Sequence, residues 1–351
     1  MTPGTILLQV VRVLGLAMLA FVIAMSITPL VIRIIEKFGL KKQIRDAKEA
    51  PIFAKLHAAK AGTPTMGGVI VWATVLGLAL ILFLLSWAFD GFFSYLNFVD
   101  RAQTYLPLFA MALAAGVGLI DDVCGVRRIG PRGGGLPMRY RLLIHFCLAL
   151  LGALWFYFKL DWNVLTIPFV GSVTVGWWYI PIFIFIIVAS AFSANETDGL
   201  DGLAGGVMLF AYVALTIVAF VLGRFDLAAM GAVVIGALLA FLWFNIYPAR
   251  FFMGDTGSMS LGITIGVIAM LTNTTLLLPL FVPIFVIESG SVIIQLFSKK
   301  FRGKKVFLST PIHHHFEALG WPETKVTMRF WIVSIICVTL GIVIFFLNRF
   351  L

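Results

Sequence analysis

The sequence predicts an all-α integral membrane protein, one polytopic domain over residues 1–351 built as a bundle of about ten transmembrane helices. Composition is the first reason, because 61% of the residues are hydrophobic and only 12% are charged, whereas a soluble domain carries roughly 25% charged residues. Length is the second reason, because apolar runs near 20 residues recur, and each can cross a bilayer as a helix. A membrane barrel would alternate in segments of about ten residues, and a soluble core would not need so many long runs.

The apolar runs place ten spans along the chain. In order they cover 13–32, 66–88, 104–120, 142–158, 177–193, 203–222, 227–246, 258–275, 277–297 and 330–348. The first run is too long for a signal peptide and is interpreted as a retained span. Asn273, Thr274 and Thr275 alone separate the eighth and ninth spans, which predicts a tight hairpin. No disulfide framework is suggested by the cysteines, which lie in or beside apolar runs: Cys124, Cys147 and Cys337.

The distribution of lysine and arginine predicts the orientation. If the N-terminus lies outside, 21 of the 26 basic residues fall in inward loops, which are 33–65, 121–141, 194–202, 247–257 and 298–329. Basic residues concentrate in cytoplasmic loops, so both termini are predicted to be periplasmic. Most of the net charge of +10 then forms a cytoplasmic surface that also attracts anionic lipid.

The central polar stretch, Ala194 to Gly206, lies between two long apolar runs and contains Asn195, Glu196, Asp198 and Asp201. Acids at a bilayer edge are costly unless they are hydrated, paired or bound to cations. Asp198 and Asp201 would share a helix face if the sixth span began there. The alternative is that one of them only caps that helix.

The other inward loops carry polar clusters of their own. Asp121 and Asp122 follow the third span, where the helix dipole disfavours acids. Either a divalent cation or a group of arginines should offset that cost, and oxygen-only ligands suit Mg²⁺ or Mn²⁺. The arginines that follow are Arg127, Arg128, Arg132, Arg139 and Arg141.

Two further loops have helix-start chemistry. The stretch from Lys60 to Gly68 reads as a turn feeding a helix, where free N–H groups and Lys60 favour an anion. In the fourth loop, Pro248 ends the seventh span, and Asp255 enters the eighth as either a ligand or a plain N-cap.

The last inward loop contains three consecutive histidines, His313, His314 and His315, which cannot all point one way. A zinc site from this run alone is therefore not expected, and donation to phosphate or proton transfer fits better. Glu288 interrupts the ninth run as either a functional or a structural carboxylate. His57 and His145 are expected to be structural or interfacial.

Carboxylates that hold Mg²⁺, surrounded by cations and N–H groups, are typical of phosphoryl transfer. No P-loop is present in the sequence, so an ATP-driven pump is not supported. A site at the membrane surface suits one lipid substrate and one water-soluble substrate. The alternative of another class is a cation-coupled transporter, which predicts acids deep within spans, where only Glu288 lies.

The polar motifs resemble those of the polyprenyl-phosphate N-acetylhexosamine-1-phosphate transferase superfamily over nearly the whole chain. They are Asp121-Asp122, Asn195-x-x-Asp198-Gly-Leu-Asp201, Asn245-x-x-Pro through Asp255-Thr-Gly-Ser, and Thr310-Pro-Ile-His-His-His-Phe-Glu317. The last motif, together with Lys60 to Gly68, resembles one branch, the phospho-N-acetylmuramoyl-pentapeptide transferases. The runner-up is the sister transferase that loads N-acetylglucosamine-1-phosphate.

The resemblance implies transfer from UDP-N-acetylmuramoyl-pentapeptide to undecaprenyl phosphate, with Mg²⁺, in the bacterial inner membrane, and a possible homodimer. Asp255 would be the principal Mg²⁺ ligand, with Asp121 and Asp122 as further ligands. Asp121 would also be the base or positioning group toward the lipid phosphate, and a covalent phospho-aspartate route remains open. His313 is assigned with the catalytic acids. Substrate contacts are implied for Lys60, Thr65, Asn195, Asp198, Asp201, Asn245, Phe252, His314 and His315, with Phe252 stacking on uracil.

Some positions depart from the family pattern. Glu196 stands where an apolar residue is usual, Phe192 where asparagine is common, and Gly125 where lysine is frequent, while segment 46–56 is longer. These departures affect nucleotide and diphosphate contacts and leave the reaction class unchanged.

Overall fold

A computed structural model describes residues 2–40, 60, 62–130 and 134–350. Segment 46–56, His57 and Arg132 therefore lie outside the described residues. The helices are α1 (Pro3–Lys37), α2 (Val69–Ala88), α3 (Phe92–Leu96), α4 (Tyr105–Val126), α5 (Met138–Lys159), α6 (Tyr179–Thr197), α7 (Leu203–Val221), α8 (Phe225–Asn245), α9 (Gly254–Leu271), α10 (Leu278–Phe281), α11 (Pro283–Arg302), α12 (Ile312–Ala318) and α13 (Glu323–Phe350).

The prediction of an all-α membrane bundle is confirmed. In the described part of the chain, nine helices are long and apolar enough to cross a membrane. They coincide with nine of the ten predicted spans. The predicted ninth span, 277–297, is divided between α10 and α11, and α11 does not meet the same criterion because it carries Glu288, Lys299, Lys300 and Arg302. The connection before α11 is also longer than the predicted three-residue hairpin, since α9 ends at Leu271 and α10 intervenes.

Helix α9 forms the centre of the bundle, because 94% of its 18 residues are buried inside the protein. It packs against α4 on one side and α6 on the other, with further contacts to α2 and α7. Small residues permit these close approaches. A Cβ atom on Gly262 would lie 2.6 Å from the Cβ of Ala194, and one on Gly118 of α4 would lie 2.5 Å from the carbonyl oxygen of Asp255.

A short antiparallel hairpin connects α5 and α6. Its strands, β1 (Val164–Ile167) and β2 (Gly171–Thr174), pair Val164 with Thr174 and Ile167 with Gly171. The spacing of apolar residues did not predict these strands, because four residues are too few to show a clear alternation.

At the same end of the bundle, the buried Arg12 of α1 pairs with Asp226 of α8 at 2.6 Å and also donates to the carbonyl of Asn97. This ion pair joins two helices that pack along much of their length. The three cysteines are free.

We expect Gly118→Ala to separate α4 from the start of α9, because the added methyl group would meet the backbone of Asp255 and Thr256 at 2.5 Å. The free energy of unfolding should fall by about 1–3 kcal/mol, the usual cost of overpacking. Gly116→Ala is the matched control, since a Cβ there meets nothing within 4 Å. Thermal unfolding in detergent measures both, and equal midpoints for the two variants would contradict this packing.

Candidate active site

Asp121 of α4 and Asp255 of α9 are joined by one arginine. Arg141, in the first turn of α5, places Nε 2.7 Å from Oδ2 of Asp121 and Nη1 3.1 Å from Oδ2 of Asp255. The backbone N–H of Leu136 donates to the other oxygen of Asp121 at 2.5 Å. Asp121 is buried, with 2% of its surface exposed. The sequence analysis predicted that a cation or an arginine offsets the cost of acids at the end of a helix. Arg141 is such an arginine.

Asp122 caps a helix other than its own. Its carboxylate accepts the backbone N–H of Asp255 at 3.1 Å and that of Thr256 at 2.9 Å, both in the first turn of α9. A helix N-terminus offers unpaired N–H groups and a positive dipole end, so a carboxylate there is stabilised. The unfavourable position of Asp122 on α4 is thus offset by a favourable position at α9.

One sequence expectation about these acids is wrong, and one alternative is excluded. Helix α4 continues to Val126, so Asp121 and Asp122 lie inside it and not in the loop after a span that ends at residue 120. Asp255 is not the N-cap of α9 either, because that position is Met253, which makes no side-chain cap. The carboxylate of Asp122, from another helix, takes the place of a local cap at the start of α9. Local sequence patterns cannot reveal a contact between such distant segments.

The end of α6 brings two more predicted residues to Asp255. Nδ2 of Asn195 donates to Oδ1 of Asp255 at 2.5 Å and to Oγ of Ser258 at 3.2 Å. Asp198, the C-cap residue of α6, accepts the backbone N–H of Gly254 at 3.1 Å. A Cβ atom on Gly254 would lie 3.1 Å from Oγ1 of Thr65, so Thr65 also borders this point.

Asp201 belongs to a neighbouring ionic cluster. Its Oδ1 lies 2.5 Å from Nζ of Lys60, and its Oδ2 accepts the backbone N–H of Ala249 at 3.0 Å. Lys60 also pairs with Glu323 at the start of α13, and Glu323 accepts the backbone N–H of Asp201 at 2.6 Å. The sequence analysis missed Glu323. Its only local signal was its position as the first residue of a helix, directly after Pro322.

The predicted common face of Asp198 and Asp201 is wrong. Helix α7 begins only at Leu203, and its N-cap Gly202 has φ 75° and no side-chain cap. The two acids therefore lie in the preceding turn, and the contacts described above join them to different partners. Neither acid caps α7, so the capping alternative is excluded as well.

The expectation of free N–H groups at the start of α2 is also wrong. The backbone N–H groups of Gly67 and Gly68 donate to the carbonyls of Phe252 and Met253, each at 2.8 Å. A Cβ on Gly68 would lie 2.3 Å from the Cα of Gly257, so the two segments touch through their backbones. These N–H groups hold the first and fourth loops together and are not free for an anion.

Asn245 and Phe252 support the fourth loop. Oδ1 of Asn245 accepts the backbone N–H of Gly202 at 3.1 Å, and its Nδ2 donates to the carbonyl of Phe251 at 2.8 Å. The ring of Phe252 is 9% exposed, and Nζ of Lys60 lies 5.6 Å from its centre. Stacking of Phe252 on uracil stays a prediction.

The three histidines of α12 have three different partners, which confirms that they do not all point one way. Nδ1 of His313 lies 3.0 Å from Oε1 of the buried Glu288, and its Nε2 side faces Gly199, where a Cβ would lie 2.2 Å away. Nδ1 of His314 lies 2.7 Å from Glu317, and Nδ1 of His315 accepts the backbone N–H of Leu308 at 3.2 Å. Glu288 therefore has an identified partner, next to the turn that carries Asp198.

The donor chemistry at Asp121 and Asp255 fits a hard divalent cation, because it consists of oxygen atoms only. Within the described ranges, no three acidic, histidine or cysteine residues form a ready-made metal-binding group. Mg²⁺ is commonly held by one or two carboxylates together with substrate phosphates and water.

Comparison with known proteins matches these segments to a family. A model described as "Glycosyl transferase family 4" matches residues 104–273, and one described as "Phospho-N-acetylmuramoyl-pentapeptide-transferase signature 1" matches residues 60–70. A phospho-N-acetylmuramoyl-pentapeptide-transferase of Anoxybacillus flavithermus is 38% identical over 95% of this chain and 97% of its own. Proteins of the same name from Chloroflexus aurantiacus and Geobacillus sp. are each 36% identical, over 94% and 96% of this chain and 89% and 99% of their own.

Substitutions at Asp122 test its role as a cap for α9. We expect Asp122→Ala to lower the free energy of unfolding by about 1–2 kcal/mol, because two N–H groups lose their acceptor. Asp122→Asn should lose much less, since asparagine is also a good cap. Thermal unfolding measures both variants beside Asp90→Ala, a change at an exposed acid. Equal losses for Ala and Asn would contradict the capping role.

Proposed function

Since the chain belongs to the phospho-N-acetylmuramoyl-pentapeptide-transferase family, we propose that it transfers phospho-N-acetylmuramoyl-pentapeptide from UDP-N-acetylmuramoyl-pentapeptide to undecaprenyl phosphate. The products are undecaprenyl-diphospho-N-acetylmuramoyl-pentapeptide (lipid I) and UMP. The observation that carries this proposal is the junction of Asp121, Asp255, Arg141 and Asn195 at the ends of membrane helices. Such a junction can receive a lipid phosphate from the bilayer and a nucleotide from water.

In the reaction, an oxygen of the lipid phosphate forms a bond to the β-phosphorus of the UDP-sugar. The bond between that phosphorus and the oxygen that bridges to the α-phosphate breaks, and UMP leaves with the electron pair. Asp121 is the proposed group that orients the lipid phosphate and accepts its proton when it arrives as the monoanion. A phosphate monoester is mostly doubly ionised near pH 7, because its second pKa is about 6, so positioning is the larger part of this role.

Asp255 and Asp121 are the proposed ligands for Mg²⁺, with Asp122 as a third carboxylate beside them. When bound, the ion would neutralise charge on the diphosphate. Asp122 already accepts two backbone N–H groups of α9, so its proposed part is to hold Asp255 and the start of α9 in place. Asn195 holds the other side of Asp255.

The remaining predicted residues are proposed to form the side of the site that receives the nucleotide and sugar. Contacts among them support this, because one network joins Lys60, Asp201 and the backbone of Ala249, and Asn245 fixes the adjoining turn. Phe252 lies under Lys60 within the same network. Asp198 and Thr65 border the start of α9, where the two parts of the site meet.

His313 is the proposed donor from the opposite side, oriented by Glu288. Its Nε2 side faces the turn after α6, beside Asp198. His314 and His315 are proposed to support it through their contacts with Glu317 and Leu308.

Three broader proposals concern the setting of the enzyme. The chain lies in the bacterial inner membrane with both termini periplasmic and the site cytoplasmic, as the lysine and arginine distribution favours. Contacts among residues from all five polar loops support placing these loops on one common side of the membrane, because loops on opposite sides could not meet. A homodimer is proposed on the resemblance to the family alone.

The first experiment measures UMP release by the purified protein in detergent with undecaprenyl phosphate, Mg²⁺ and UDP-N-acetylmuramoyl-pentapeptide. We expect Asp255→Asn to lower the rate by several orders of magnitude, because the variant loses charge at the proposed metal ligand. Asp90→Asn, at an exposed acid, should retain full activity. Turnover with UDP-N-acetylglucosamine but not with this donor would identify the sister transferase instead.

Metal dependence requires a separate measurement. We expect EDTA to abolish UMP release and added Mg²⁺ to restore it, because the oxygen-only donor set at Asp121 and Asp255 suits this ion. The thermal unfolding midpoint should stay within a few degrees under EDTA, since Arg141 neutralises the same acids. Undiminished UMP release in EDTA would refute the magnesium assignment.

A further inference from the structure

One face of α13 contacts the turn between α6 and α7. That turn covers residues 198–202, and we call it the acidic turn because it carries Asp198 and Asp201. Residues four apart on a helix share a face and lie about 6 Å apart along its axis. Three side chains of α13 at intervals of four residues contact the turn: Glu323, Thr327 and Trp331.

These side chains bind the backbone of the acidic turn. Glu323 accepts the N–H of Asp201 at 2.6 Å, and the hydroxyl of Thr327 donates to the carbonyl of Asp201 at 3.3 Å. The indole N–H of Trp331 donates to the carbonyl of Gly202 at 3.2 Å. Helix α13 therefore binds three of the four backbone polar groups of these two residues.

The fourth group, the N–H of Gly202, donates to Oδ1 of Asn245 in α8 at 3.1 Å. Backbone polar groups that are buried need partners, and regular helices and sheets supply them from their own backbone. Asp201 and Gly202 are buried, and side chains from two other helices supply their partners instead. The geometry of the acidic turn consequently depends on α13 as well as on its own sequence.

Close packing fits Trp331 to the point where the acidic turn enters α7. A Cβ atom on Gly206 would lie 2.1 Å from Nε1 of Trp331, and one on Gly202 would lie 3.6 Å from the indole ring. A side chain at position 206 would therefore displace the indole from its hydrogen bond to the turn. The small residues of α7 allow α13 to approach this closely.

The acidic turn borders three parts of the candidate site. Asp198 accepts a backbone N–H at the start of α9 at 3.1 Å. Gly199 faces the ring of His313, since a Cβ atom there would lie 2.2 Å from Nε2. Asp201 pairs with Nζ of Lys60 at 2.5 Å. A shift of the turn would change all three contacts.

We propose that Glu323, Thr327 and Trp331 are positioning residues for the UDP-sugar, and that they act through the acidic turn. The inference rests on the proposed function, in which Lys60 and Asp201 belong to the side of the site that receives the nucleotide and sugar. It adds three residues of α13 that are not themselves proposed substrate contacts. Their effect on the substrate passes through the turn and through Lys60.

The contacts favour the UDP-sugar over the lipid acceptor as the substrate affected. Glu323 also pairs with Lys60, whose Nζ lies 5.6 Å from the ring centre of Phe252, on the proposed nucleotide side. Asp121, which is proposed to orient the lipid phosphate, is instead held by Arg141. Release of the acidic turn should therefore weaken binding of the UDP-sugar and leave binding of the lipid unchanged.

Thr327→Val removes one contact to the turn and keeps the shape of the side chain. We expect KM for UDP-N-acetylmuramoyl-pentapeptide to rise roughly fivefold, the factor that one neutral hydrogen bond contributes, while KM for undecaprenyl phosphate does not change. Trp331→Phe should act in the same way, because it keeps a ring and loses the N–H. The matched control is Thr339→Val, since the exposed hydroxyl of Thr339 bonds only within α13, to the carbonyl of Ile335.

Two substitutions at Glu323 test the contact to the turn directly. Glu323→Ala removes the acceptor of the Asp201 N–H, so that amide should exchange with solvent roughly tenfold faster, and KM for the UDP-sugar should rise by a similar factor. Glu323→Gln should restore most of both, because its amide oxygen still accepts the N–H and Lys60 keeps its pair with Asp201. Hydrogen exchange in detergent, followed by mass spectrometry of peptides across 198–206, measures the turn.

A purely structural role for the α13 residues is distinguishable from positioning. It would lower the unfolding midpoint and raise KM for both substrates together, and this result would overturn the inference. An unchanged KM for the UDP-sugar in Thr327→Val, Trp331→Phe and Glu323→Ala would also overturn it, while UMP release by the wild-type protein would still establish the proposed function. Absence of wild-type UMP release with either UDP-sugar would instead refute the proposed function, and the positioning role with it.

Discussion

The contact between the end of α4 and the start of α9 determines the rest of the site. Asp122 supplies the acceptors that the first turn of α9 needs, and Gly118 allows the two backbones to approach. One acid is thereby used to hold the two helices together, and its neighbour Asp121 is left beside Asp255. A site that concentrates negative charge within a membrane bundle can form only because a helix N-terminus and Arg141 meet that charge.

The same compensation recurs around the second cluster, where Lys60 lies between Asp201 and Glu323. Its pairing holds together residues that are far apart in the chain, from the first polar loop, the central turn and the start of α13. Because the side chain of Asp201 is 4% exposed and that of Glu323 11% exposed, losing the lysine would leave two poorly solvated acids. Lys60 therefore has a structural role even when no substrate is bound.

Sequence reasoning predicted the long spans and the gathering of acids at one end, because apolar length and charge asymmetry are local and additive properties. It could not predict which acid meets which partner. Asp122 capping α9, Glu323 pairing with Lys60 and the use of the Gly67 and Gly68 N–H groups are all contacts between distant segments. Helix α11 differs for another reason, since its buried Glu288 is matched by His313, a partner that lies beyond its own apolar run.

Burial within the site also determines the direction from which each substrate can arrive. Asp121 is almost fully enclosed, whereas the side chains of Asp255 and Arg141 are 21% and 24% exposed. Water-soluble groups can therefore approach along the open edge of Asp255, where Asn195 and the start of α9 lie. Asp121 is instead enclosed by Arg141 and by the backbone N–H of Leu136, which contact its two carboxylate oxygens. Arg141 contacts both acids, so a group that binds at the open edge of Asp255 also meets the cation that neutralises the enclosed Asp121.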